Sequence, residues 1–157
     1  MGKLELRKGV WDVLAVAKAL PEIRFRIVGW GPEEQAMRRA ASANVEFVGA
    51  VRDADLAREY ARASVFFLPS RAEGSPVALL EAMASGCAVV CTLPFDFDGL
   101  KVEPGDVPGL IAAVRSLALD PARARSLGEQ NVARALSHNW EDFAAILHGV
   151  YREVLGA

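Results

Sequence analysis

Cysteine and histidine are scarce in this sequence, with two of each among 157 residues. Cys87 and Cys91 flank a short apolar run. If that run is a strand, the two thiols are too far apart for a disulfide or a shared metal. No further Cys or His stands near them to complete a metal set. Both are therefore expected as small buried hydrophobes. That usage suits a reducing compartment and predicts a cytoplasmic protein. No apolar run reaches the length of about 18 residues that a membrane span requires. The opening residues carry no charged-then-apolar leader pattern, so no signal peptide is expected. With a net charge of −2, nothing points to a nucleic-acid-binding or anionic-membrane surface. Internal repeats, low-complexity stretches and interdomain linkers are also missing, so residues 1–157 read as a single domain with its own core.

What is present is a regular alternation. Ile23–Val28, Val45–Val48, Val65–Leu68 and Ala88–Cys91 are short, rich in β-branched or aromatic residues, and end at turn signals. Between them lie amphipathic segments predicted as helices: Val10–Leu20, Pro32–Ala43, Asp53–Ala63 and Pro76–Ser85. Strands alternating with helices predict right-handed βαβ units and a doubly wound, mostly parallel sheet of Rossmann-like α/β type. Residues 106–157 change character. Asp106 caps a helix through about Leu119, Pro121 starts a second and Asn139 a third, with no strands between them. In such sheets ligands bind beyond the carboxyl ends of the strands. The Gly29–Gly31 turn and the Pro69–Glu73 loop both fall there.

The most informative stretch is Glu73-Gly-Ser-Pro-Val-Ala-Leu-Leu-Glu81. Ser75 is the expected N-cap and Pro76 the expected first helical residue. That start leaves the amides of Val77 and Ala78 as free donors at the positive end of the helix dipole, an anion site. Glu81 shares a helical face with Val77 and leans back toward the start. Glu73 sits in the entry loop. Phosphate-binding amides between two acceptors for sugar hydroxyls point to a nucleotide-sugar site. Each feature also has a plain reading, since carboxylates near helix starts complement the dipole and Ser75 lies in no nucleophile-elbow context.

Taken in order along the chain, several motifs resemble the donor-binding, C-terminal domain of retaining glycosyltransferases of GT-B architecture. Gly2-Lys-Leu with Lys8-Gly9 is similar to that family's "G-R-L…K-G" opening, and Ile27-Val-Gly-Trp-Gly-Pro-Glu33 to "V-G-x-G-P-E". Asn44-Val-Glu-Phe-Val-Gly49 is similar to "N-V-x-F-x-G". Pro69–Gly74 with Leu79–Gly86 resembles the signature carrying two glutamates with seven residues between them. The resemblance implies transfer of a hexose from a nucleotide diphosphate sugar with retention, and no metal or other cofactor. It implies that Lys3 and Lys8 bind the diphosphate and stabilise its departure. Glu73 would contact the sugar hydroxyls near the reacting carbon and Glu81 the ribose hydroxyls. The backbone of Gly74, Ser75, Pro76, Val77 and Ala78 would cradle phosphate. Gly29 and Gly31 would line the crevice, and the Gly49–Arg52 turn, with Val51, would border the base. Arg71 reads equally as a site residue or an ordinary ion pair. Trp30 reads either as a base-stacking platform or as a cover for apolar surface. His138 and His148 are expected to play no part.

The sequence also departs from the family pattern. Lys3 stands where an arginine is usual, keeping the charge but losing the bidentate fork. The family has an apolar strand before its opening motif, central in a 3-2-1-4-5-6 sheet. Here only Met1 precedes Gly2, so the chain is expected to be truncated or a fragment. The sheet should then carry a gap that another copy could fill, making a homo-oligomer. The loop after Val90 is altered, and the acceptor-binding N-terminal domain of the family is absent from these residues. The resulting expectation is a glycosyltransferase donor domain with little turnover on its own. The alternatives are a degenerate, non-catalytic binding or assembly module, and a nucleotide-sugar epimerase or phosphorylase of the same architecture. An epimerase would be expected to carry acid/base carboxylates and a histidine that this sequence does not show.

Overall fold

The computed structural model describes residues 1–137 together with Ala144, His148, Tyr151 and Arg152. The helix expected from Asn139, and His138 before it, lie outside the described residues apart from those last four. The elements run α1 (Val10–Ala19), β1 (Phe25–Val28), α2 (Glu34–Ala40), β2 (Val45–Gly49), α3 (Asp53–Ala61) and β3 (Val65–Leu68). They continue as α4 (Val77–Ala84), β4 (Ala88–Cys91), β5 (Gly99–Lys101), α5 (Val107–Ala118) and α6 (Pro121–Leu136). All strand pairs are parallel. This is the α/β, Rossmann-like arrangement that the alternation predicts. β5 is the exception: three residues opening on Gly99 give no strand signal, and they extend only because they pair with Val89–Cys91 of β4. No helix among the described residues is long and apolar enough to cross a membrane.

The sheet is interrupted. β1 pairs with β2, and β3, β4 and β5 pair in that order, but β1 and β3 do not pair with each other. Helix packing holds the halves together. One cluster joins Val16, Ala17 and Leu20 of α1 to Phe25 of β1, Val90 of β4 and Leu110, Val114 and Leu117 of α5. A second packs Leu79, Ala82 and Met83 of α4 against Phe66 and Leu68 of β3 and Val89 of β4. β4 is buried on both faces, as the near-continuous apolar run Ala88–Cys91 requires of a central parallel strand. Cys87 and Cys91 are both free and buried there, and burial pushes the Cys87 thiol up to about 11. An ion pair also reaches between the halves: Arg26 of β1 donates from Nε to Glu59 of α3 at 2.8 Å. That hydrogen bond holds the Glu59 carboxyl below its ordinary range.

Two asparagines close the connections. Asn44 Nδ2 lies 2.9 Å from the Ala17 and Leu20 carbonyls and 2.8 Å from that of Ile23. It adds a donor to the Ala17 and Leu20 carbonyls, which already accept from the Leu20 and Ile23 N–H groups, and ties the end of α1 to the connection before β1. Asn131 of α6 is fully buried. Its Nδ2 donates to the Cys87 carbonyl at 2.9 Å and the Asp98 carbonyl at 2.7 Å, and its Oδ1 accepts from the Asp98 N–H at 2.8 Å. Asp98 is also held by Arg134 Nε at 2.9 Å. The loop between β4 and β5 is thus fastened to α6. Asn131→Ala strands one buried and two part-buried backbone groups and is expected to cost about 2–4 kcal/mol, read as a lower urea midpoint at unchanged slope.

Candidate functional site

Two segments far apart in sequence meet beyond the carboxyl ends of the strands. Residues Gly2–Leu4 run along β1, with the Gly2 N–H donating to the Val28 carbonyl at 2.9 Å and the Leu4 N–H to that of Trp30 at 2.8 Å. A single 3-10 turn, Leu6–Lys8, follows and stops at Gly9, whose φ is +64°. A side chain at Gly9 would place its Cβ 2.0 Å from the Pro69 carbonyl oxygen, so both the dihedral and the space demand glycine. The Arg7 carbonyl accepts from the Arg71 N–H at 2.8 Å. These contacts seat the turn on the loop after β3.

The seating delivers Lys8 to Glu73. Lys8 Nζ lies 2.5 Å from both carboxylate oxygens, across a separation of 65 residues. Ser70 Oγ donates to Glu73 Oε1 at 2.8 Å, and Arg7 Nη1 stands 3.8 Å from Oε2. The Glu73 side chain is only 6% exposed and that of Lys8 20%. A carboxylate so nearly removed from water depends on these donors in place of solvent. Nothing in the local sequence pattern foretold Ser70 or Arg7 as its partners.

Glu81 belongs to a neighbouring arrangement. It accepts from the Tyr60 hydroxyl at 2.8 Å, and the same hydroxyl lies 3.2 Å from the Ala78 carbonyl. Tyr60 is buried, and burial together with the Glu81 carboxylate raises its pKa well above the ordinary phenol value. It therefore acts as a fixed donor. The pair walls a cavity of about 370 Å³, shared with Gly29, Trp30, Val51, Leu56 and Ala78. Trp30 is 64% exposed at its rim. Lys3 also lines it and pairs with Glu5 at 3.4 Å. Tyr60 was not anticipated. Its available signal was an aromatic on the otherwise polar helix α3, since a buried tyrosine needs a partner for its hydroxyl.

The start of α4 differs from the expectation. Pro76, not Ser75, is the N-cap, Val77 is the first helical residue, and no side chain caps the helix. The Val77 N–H donates to the Ser75 carbonyl at 3.0 Å in a tight turn. It is therefore not a free donor. The proline ring cannot supply a first-turn N–H, and Pro76 itself, at φ −83° and ψ 62°, has the inverse γ-turn conformation that brings the Ser75 carbonyl back to the Val77 N–H. Among the described residues no backbone acceptor is bonded to the Ala78 N–H. Gly74 is exposed with open space where a side chain would project.

Other residues resolve into structural roles. Arg71 pairs with Asp12 of α1 at 3.3 Å. Gly29 and Gly31 are required by the chain itself: a Cβ at Gly29 would fall 1.8 Å from the Gly2 carbonyl oxygen, and one at Gly31 2.3 Å from that of Leu4. His148 is exposed.

Comparison with known proteins gives a consistent result. A family model described as "Glycosyl transferases group 1" matches residues 1–120. The chain is 33% identical over 168 residues to a GDP-mannose-dependent alpha-(1-6)-phosphatidylinositol monomannoside mannosyltransferase of Mycolicibacterium smegmatis, covering 90% of this chain and 43% of that one. It is 38% identical over 136 residues to an exopolysaccharide phosphotransferase of Streptomyces coelicolor, covering 75% of this chain and 14% of that one. Among solved structures, sucrose-phosphate synthase from Thermosynechococcus elongatus superimposes with a TM-score of 0.81 at 27% identity, over 99% of this chain and 45% of that one. The chain thus spans less than half the length of each of these three proteins.

Lys8 and Glu73 are expected to behave as one unit. Lys8→Met alone leaves a desolvated carboxylate and should cost about 1–3 kcal/mol, while Lys8→Met with Glu73→Gln should recover much of that loss. Denaturant titrations of the two single variants and the double variant measure the coupling; additive losses would show that the pair contributes nothing.

Proposed function

Because this chain belongs to the group 1 glycosyl transferases, we propose that it is the donor-binding part of an enzyme that transfers a hexose from a nucleotide diphosphate sugar with retention at the anomeric carbon. The observation that carries this reading is the cavity bounded by Lys3, Glu81 and Ala78 at the start of α4, with the Lys8–Glu73 pair held at the loop that enters the same helix. A relative named as GDP-mannose-dependent supports a nucleotide-sugar donor.

In this reading the bond between the anomeric carbon and the diphosphate oxygen breaks, and negative charge grows on the departing diphosphate. Stabilising that charge is the main electrostatic task. Lys8, Lys3 and the Ala78 N–H are the donors on hand, so the charge is met by the protein without assigning a metal ion. Glu73 receives hydroxyls of the sugar and is oriented by Ser70 and Lys8. Glu81 accepts from the ribose hydroxyls, with Tyr60 holding one of its oxygens and leaving the other. Gly74 leaves open space beside Glu73, the base lies toward Val51 and Trp30, and Gly29 forms part of the wall. Arg71 acts indirectly, since its pairing with Asp12 and its N–H bond to Arg7 keep the loop before Glu73 in place.

A second reading has one observation in its favour. Lys8 already faces both oxygens of Glu73, a closed pair that leaves less of its charge for a diphosphate. A non-catalytic module of the same fold would show this as its permanent state.

Calorimetric titration with UDP, GDP and ADP separates the two. One nucleotide is expected to bind in the micromolar to millimolar range, and Glu81→Ala to weaken it about 10- to 100-fold, as loss of a charged hydrogen-bond acceptor does. Residues 1–157 alone are expected to bind donor without appreciable transfer. No binding of any nucleotide would leave the non-catalytic reading standing.

A further inference from the structure

Tyr60 and Glu81 meet in a geometry that packing alone does not require. Tyr60 stands near the end of α3, where the chain is fixed from both sides. Its neighbour Glu59 accepts from Arg26 Nε at 2.8 Å and from Nη2 at 3.0 Å. The Tyr60 carbonyl accepts from the Ala63 N–H at 2.9 Å and from the Cys87 thiol at 3.6 Å. The ring is 2% exposed. It meets Phe66 at a centroid distance of 6.0 Å and an interplanar angle of 52°, a tilted contact of the kind aromatic pairs favour. Backbone and ring together leave the hydroxyl little freedom to move.

That hydroxyl has a single proton to give. Glu81 Oε2 lies 2.8 Å from it and the Ala78 carbonyl 3.2 Å. The shorter contact is also the one to a carboxylate, the stronger acceptor, so the proton is directed to Glu81. Glu81 differs in this from Glu73, beside which Lys8 and Arg7 stand. No side chain among the described residues forms an ion pair with Glu81, and Tyr60 is its one hydrogen-bond donor there. Its Oε1 accepts from none of them and is not closed off from solvent. Glu81 lines the cavity shared with Gly29, Val51 and Ala78, and Oε1 is the oxygen left for a ligand. A glutamate loses torsional freedom when it takes up a ligand, and an oxygen already anchored lowers that cost.

Resting on the donor reading of this cavity, we propose that Tyr60 is a positioning residue that sets how strongly the site selects a ribose with its hydroxyls: it holds Glu81 Oε2 so that Oε1 meets them. Tyr60 touches the ligand's hydroxyls only through Glu81. Loss of the phenol oxygen therefore weakens a nucleotide according to the hydroxyls it carries, and has no effect once the Glu81 carboxylate is gone. A tyrosine that served packing alone would act on every nucleotide alike.

The test is calorimetry on the full chain with UDP, GDP and ADP and with their 2′,3′-dideoxy counterparts. The parent is compared with Tyr60→Phe, Glu81→Ala and the double variant; phenylalanine keeps the ring against Phe66 and removes only the oxygen. For the nucleotide that binds, Tyr60→Phe is expected to weaken the ribose form about 3- to 10-fold and the dideoxy form less than about twofold. In the Glu81→Ala background it is expected to change either by less than about twofold. Equal weakening of both forms, an undiminished loss without Glu81, or no loss at all would overturn the role of Tyr60 and leave the donor reading standing. A parent that binds none of the three nucleotides would overturn the donor reading and the role of Tyr60 with it. The sequence holds two tyrosines, Tyr60 and the exposed Tyr151, so fluorotyrosine labelling gives a readout that needs no substitution. The ribose form is expected to move the Tyr60 fluorine resonance away from its position with the dideoxy form. Coincident resonances would overturn the proposal even if the phenylalanine variant failed to fold.

Discussion

Gly9 rests its backbone against the carbonyl of Pro69, and the position of the candidate site follows from that contact. The close approach exists only because no side chain stands at position 9. Through it the opening turn reaches the loop after β3, the Arg7 carbonyl takes the Arg71 N–H, and Lys8 comes within 2.5 Å of Glu73. Remove the contact and the two charged residues belong to separate surfaces. The polar arrangement thus depends on a steric condition on the main chain at Gly9.

A division of labour follows. The helices hold the two halves of the sheet together by apolar packing, while hydrogen bonds and ion pairs act where chain segments must meet in a defined register. Asn44 closes the end of α1 and Asn131 fastens the β4–β5 loop. Each is polar and partly or fully buried, and each serves several backbone groups at once. Such residues add modest net stability when complete and a large cost when broken.

The elements that were legible in the sequence are those whose pattern is dominated by burial. Val65–Leu68 and Ala88–Cys91 appear with the bounds expected, because apolar β-branched residues between turn signals have few alternatives. Local competition obscured the rest. Ser75 is a good cap by propensity, but Pro76 next to it controls the backbone and takes the position. β5 is too short, and opens on too flexible a residue, to be seen without its partner. At the site, Glu73 and Glu81 stood out through their placement around a helix start and Lys8 through a resemblance in motif order, whereas Arg7 becomes visible as a neighbour of Glu73 only when distant segments are brought together. Gly29 and Gly31 illustrate a subtler limit. Their spacing looked like a provision for ligand, and each also makes room for the protein's own backbone, while Gly29 lines the cavity beside Glu81.

The 65-residue separation between Lys8 and Glu73 also bears on how the molecule assembles. A contact this distant in sequence is disfavoured until loop closure has been achieved by other means, here the packing of α1 on α5 and of α4 on the β3–β4 pair. The polar pair is thus expected to form after both hydrophobic halves have condensed. Interactions that form late act mainly on the rate of unfolding. In such a chain the polar pair of the candidate site also serves as the latch, and changes at Lys8 or Glu73 would shorten the lifetime of the native state while leaving its rate of formation nearly unchanged.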